Sequence, residues 1–124
     1  MSTTAQINDV IARDKGLCAI RLAGCTLLAT VADHRANRGI GGSKALDGFS
    51  CLIAACVLCN GAKEDATGAV RDELERRGVR VPKDSTNAKT AKRCRETPVE
   101  YPDGVSYWLT LDGRRVAAGA GVEF

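Results

Sequence analysis

Two groups of residues carry the chemistry open to this chain. Four cysteines fall into two pairs, Cys18 with Cys25 and Cys56 with Cys59. The second pair is a C-x-x-C, the spacing at which one backbone turn aims two thiolates at a single metal ion. The first pair is wider, and Gly24 just before Cys25 favours a tight return. Four thiolates meet the tetrahedral preference of zinc and leave no open position, so they describe a structural ion rather than a catalytic one. Buried apolar cysteines and a redox C-x-x-C are the other readings of this spacing. Of the two remaining cysteines, Cys51 lies in an apolar stretch and reads as a small buried residue, and as the spare ligand if the pairing differs. Cys94 sits among basic residues, where an exposed thiol would be acidified, and no role is assigned to it.

The second group centres on His34, the sole histidine. It follows Asp33 at the end of an expected strand and precedes a glycine-containing loop. An imidazole with a pKa near ~6.5 accepts a proton at neutral pH. Successive strand residues face opposite ways, so Asp33 and His34 share one site only where the strand ends or twists. A carboxylate there would reach a cation while the histidine reaches a water. Asn60 follows Cys59 directly. A lone histidine is usually structural, and Asp33 and Asn60 are residue types that also cap and turn chains.

Several elements must hold these groups. Residues 5–15 place Ile7, Val10 and Ile11 at helical spacing, and Gly16 stops the helix. Residues 26–34 read as a strand, and 36–48 as a loop with Gly39, Gly41, Gly42 and Gly48. Residues 51–55 read as a second short strand, and Cys56–Lys63 as a knuckle that opens a helix. A further helix over 66–77 carries Val70 and Leu74, with Gly78 as its stop. Residues 106–118 read as a β-hairpin turning at Asp112 and Gly113. The expected architecture is a small α+β fold, with residues 1–78 as a core and 79–124 as a basic connector and hairpin on the same single domain.

Composition narrows the function classes. Charged residues make up 27% of the 124 and apolar residues 44%, so the chain reads as one globular domain rather than a disordered one. Aromatics are only 4%, a shortage of large core side chains that a metal staple would relieve. No apolar run approaches the ~20 residues of a membrane span. The polar N-terminus lacks a signal-peptide stretch, which points to a reducing cytoplasm, where clustered cysteines favour metal over disulfides. Net charge is only +3, yet from Arg76 to Arg95 eight cations meet one carboxylate, Asp84. That stretch suits a phosphate backbone, and reads equally as a solvated connector.

The segment ADHRANRGIGGSKALDGFSCLIAACVLCNGAKE resembles the core of HNH endonucleases, especially small phage-type ones. Asp33-His34 match the first element of that family's pattern, Ser50-Cys51-Leu52 fall on the second, and Cys56, Cys59 and Asn60 match the third. The resemblance spans roughly residues 13–65 and implies a ββα-metal (His-Me finger) core stapled by a structural zinc. It implies His34 as general base, with Asp33 and Asn60 holding a divalent cation, magnesium or manganese. DNA is then the substrate, since a hard cation offsets charge developing on the phosphate during cleavage. One departure stands out. The family's middle asparagine, which braces the histidine's loop, is Cys51 here.

Arg35, Arg38, Lys44 and Lys63 flank the expected site as candidate phosphate contacts, with Arg76, Arg77, Lys92 and Arg93 in the basic stretch. Tyr107 and Trp108 would stack on bases or fill the core. The competing function is a non-catalytic, zinc-stapled DNA-binding module, for which Cys51 is the best argument. A protein-interaction domain is a third. Oligomeric state stays open, a homodimer included.

Overall fold

The computed structural model describes residues 3–37 and 44–118. Among them the chain forms four helices and two small antiparallel sheets, a small α+β architecture. Helix α1 (Thr4–Arg13) opens where Thr3 Oγ1 accepts the Gln6 N–H at 3.1 Å, a side-chain N-cap. It ends as expected, with Gly16 at φ +75°. Val10 is its fully buried contact, flanked by half-buried Ile11.

Strands β1 (Val31–His34) and β2 (Leu52–Ala55) pair antiparallel, Asp33 opposite Ile53 and His34 opposite Leu52. The first strand is shorter than the sequence suggested. Residues 26–30 are diverted by the cysteine knuckle: Leu27 takes a left-handed φ of +70°, and its N–H points at Cys25 Sγ. Strand β2 is buried at all four positions, so its residues need neighbours on both faces. The end of α1 supplies one of them. Asp14 Oδ2 accepts the Ala54 N–H at 2.9 Å, and Arg13 Nη2 donates to Leu52 O at 2.7 Å. Tyr101 OH completes this junction, donating to Asp14 Oδ1 at 2.6 Å.

Helix α2 (Val57–Asp65) follows β2 directly, and α3 (Gly68–Arg76) follows α2. Leu74 of α3 is buried as expected, whereas Val70 is 49% exposed, so a single turn of α3 faces the core. Gly78 ends α3 at φ +73°, and a Cβ there would lie 2.1 Å from Pro98 O. The basic stretch, unassigned from sequence, contains α4 (Asn87–Arg95), capped by Thr86 Oγ1 accepting the Lys89 N–H. Helix α4 packs on two 3-10 turns, Lys44–Leu46 and Phe49–Cys51, which lead from the β1 end towards β2.

The last sheet runs β3 (Val99–Glu100), β4 (Ser106–Leu109) and β5 (Arg115–Ala117), with Gly113 at φ +87° in the expected turn. Its Leu109 and Tyr101 share one buried cluster with Ile53, Leu74 and the cysteine knuckle. Residues on both sides of Gly78 therefore build a common core. No helix among the described residues is long and apolar enough to cross a membrane.

Candidate metal centre and histidine site

The knuckle over residues 18–25 lies against the start of α2. Gly24 takes φ +85°, and the Cys25 N–H returns to Leu22 O at 3.0 Å, the tight turn its glycine foreshadowed. On the other side, Cys56 is the N-cap of α2 and Cys59 lies in its first turn. The four Sγ atoms of Cys18, Cys25, Cys56 and Cys59 all lie within 4.8 Å of one another. Cys56 and Cys25 are 3.8 Å apart, which matches the edge of a tetrahedron with metal–sulfur bonds of about 2.3 Å. The cluster can hold a metal ion such as zinc.

Backbone N–H groups are aimed at these sulfurs: Leu22 at Cys59 Sγ, Leu27 at Cys25 Sγ and Cys59 at Cys56 Sγ, at 3.3–3.4 Å. Such donors favour thiolates. Burial works to raise the Cys56 thiol, but N–H donation from Thr26 and Cys59 brings it down to about 6. Burial pushes Cys25 and Cys59 up. A cation bound among them would favour the thiolate forms that burial opposes at Cys25 and Cys59.

His34 closes β1 with its side chain about one-fifth exposed. Its Nε2 lies 2.8 Å from Asp47 Oδ1. A carboxylate accepts only, so this contact places a proton on Nε2, and in the neutral ring the lone pair is then on Nδ1. Gln6 Nε2 of α1 in turn donates to Asp47 O at 2.5 Å. Asp47 was not among the residues singled out from sequence. A carboxylate a short loop away from a strand-end histidine is the signal that would have found it.

Asp33 is 5% exposed and faces away from His34, as strand alternation requires. Its Oδ2 is 3.1 Å from Lys63 Nζ but lacks a hydrogen-bond donor in good alignment. Burial raises the Asp33 carboxyl above its usual range, against the opposing pull of Lys63. Lys63 itself is 4% exposed and donates to His34 O at 2.9 Å. Asn60 is half-buried one helical turn before Lys63, on the same side of α2.

Several expected phosphate contacts are engaged elsewhere. Arg35 is fully buried, and its guanidinium donates to the carbonyls of Gly78, Ser50, Cys94 and Thr97 at 2.6–2.9 Å. It is an internal tie rather than a surface charge. Lys63 is likewise an internal cation. Arg77 donates to Ala19 O, Ile20 O and Glu100 O. Arg76 bridges Glu73 and Glu100, Arg93 meets Asp84 at 3.1 Å, and Lys92 lies 4.0 Å from Glu96, all of them exposed pairs. Lys44 is exposed beside the histidine loop. Arg38 and Gly39–Gly42 lie outside the described residues.

Cys51 is buried, as expected, but in a cluster with Cys94 rather than at the metal centre. Donation from Cys94, opposed by burial and helped by Arg35, lowers the Cys51 thiol to about 7. Cys94, only 1% exposed, is pushed up by that same contact and by burial, the opposite of the acidification expected of an exposed thiol. Trp108 is 40% exposed, while Tyr107 packs edge-on against Tyr101 with centroids 5.4 Å apart. Compared with protein-family models, with curated proteins and with solved structures, the chain matches none.

Proposed function

We propose that the chain is a divalent-metal-dependent DNA endonuclease of HNH type, in which His34 is the general base and zinc on the four cysteines is structural. The observation that carries this reading is the succession β1, β2, α2, with a strand-end histidine whose Nε2 is held by Asp47. The cysteine cluster joins the same helix to the N-terminal knuckle. Helix α4 adds exposed Lys89 and Arg95 beside the loop that carries Asp47, where a phosphate backbone would be attracted.

The ligands the resemblance implies are Asp33, whose buried Oδ2 is ion-paired at 3.1 Å with Lys63 Nζ, and the side-chain amide of Asn60; a hard cation would displace that ammonium, and would share a site with His34 only where β1 ends. When bound, the cation supplies charge stabilisation to the phosphate oxygens under attack. The chain's own residues do the rest. Asp47 fixes the imidazole ring and its tautomer. His34 Nδ1 takes a proton from water as the water oxygen bonds to phosphorus. The bond from phosphorus to the 3′-oxygen breaks, and solvent returns a proton to the leaving oxygen. Lys63 anchors the His34 carbonyl and balances Asp33, so it holds the strand end in place.

The test is supercoiled plasmid incubated with magnesium or manganese, beside His34→Ala of equal zinc content. Metal-dependent nicking or linearisation that His34→Ala lowers at least about 10²-fold is expected. A wild-type rate in the variant would overturn the general-base role. Salt-dependent DNA binding by a zinc-loaded protein that never cuts would instead establish the non-catalytic module.

A further inference from the structure

A cavity of about 280 Å³ opens on another part of the molecule, between the end of α1, the cysteine knuckle and the β3–β4 turn. That volume is close to the lower end of small-molecule pockets, about 300 Å³. Lys15, Arg21 and Arg115 line it, together with Leu17, Tyr101 and Pro102. No ion pair joins any of the three cations to a carboxylate among the described residues. The two carboxylates at the cavity leave its lining net positive, three cations against two anions. Asp14 is committed to Arg13, Ala54 N–H and Tyr101 OH, and Asp103 accepts the Val105 N–H.

One of the three cations is also held in position. Arg115 lies with Cζ 4.4 Å from the Tyr101 ring centroid and 4.2 Å from that of Tyr107. Stacked against two rings, the guanidinium loses little further freedom on binding and keeps its N–H edges for a ligand. Lys15 and Arg21 carry left-handed backbones, φ +64° and +57°. Non-glycine residues in that region are uncommon, and here both stand at one cavity.

The geometry points to this cavity as a binding site for a phosphate monoester of mononucleotide size. Three cations on one cavity lining favour a dianion over a singly charged phosphodiester, and a phosphate monoester carries about −1.5 to −2 at neutral pH. Leu17, Pro102 and the Tyr101 edge offer an apolar wall to the remainder of the ligand. A free nucleoside 5′-monophosphate and the 5′-phosphate end of a DNA strand share this chemistry.

Calorimetric titration tests the site without added divalent cation, using deoxyadenosine 5′-monophosphate, adenosine, and one oligonucleotide with a 5′-phosphate or a 5′-hydroxyl. The monophosphate is expected to bind, adenosine at least about tenfold more weakly, and Arg21→Gln and Arg115→Gln to weaken the monophosphate by about tenfold each. Arg21 is exposed, so its variant keeps the fold. Preference for the 5′-phosphorylated oligonucleotide over the mononucleotide would name the DNA end as the source, and the reverse a free nucleotide. Equal binding of monophosphate and adenosine, no binding up to millimolar ligand, or wild-type affinity in both variants would overturn the site. His34→Ala is expected to bind as wild type, so loss of nuclease activity leaves this result standing.

Discussion

Asp47 lies 13 residues from His34 along the chain and 2.8 Å from it in space. The pairing matters because an imidazole serves as a base only through the nitrogen that lacks a proton. Asp47→Asn keeps the shape but offers an amide that can turn either way, so the tautomer is no longer imposed. For a DNA endonuclease of the proposed kind, the expected loss is about 10- to 100-fold in nicking rate with unchanged zinc content and melting temperature. An unchanged rate would remove Asp47 from the site. The cysteine set was legible at this scale because thiolates at turn spacing have few other uses. Asp47 was not, since an aspartate beside a glycine reads as an ordinary turn residue. Arg35 and Lys63 were misplaced at the surface for a related reason. Charge usually means exposure, and only folded coordinates reveal the carbonyl ends that accept each buried cation.

At the scale of elements, apolar spacing located α1 and α3, an alternating stretch and a short apolar run located the two strands, and the cysteine knuckle located the start of α2. Helix α4 escaped because its buried face is Thr90, Ala91 and Cys94, which bear no large apolar side chain. Its N-cap Thr86 was the available signal. The stop after α3 was legible as a glycine, but its tightness was not. Pro98 O approaches within 2.1 Å of where a Cβ would stand. Gly78→Ala therefore combines a left-handed φ with a backbone clash. A loss of about 2 kcal/mol or more is expected in urea denaturation. A change below about 0.5 kcal/mol would mean that the Pro98 segment moves aside freely.

For the whole molecule, the cysteine centre joins a knuckle and a helix that otherwise have only a small shared core. Metal chelation is expected to lower the melting temperature by more than about 10 °C, reversed by added zinc. A melting curve indifferent to chelation would return the cysteines to a merely buried role. The boundary at residue 78 looks natural in sequence, where an apolar pattern gives way to a basic run, but Arg35 crosses it. Two of its four carbonyl acceptors, on Cys94 and Thr97, lie 59 and 62 residues further on. This has a consequence for birth on the ribosome. A chain emerging from its N-terminus presents the strand end and the metal ligands long before those acceptors exist. A desolvated guanidinium with half its partners missing is costly, so closure of the core waits for α4 and Thr97 to clear the exit tunnel. A fragment ending at Gly78 is expected to remain unfolded by circular dichroism even with zinc present, whereas independent folding of that fragment would show that the early-made half matures alone.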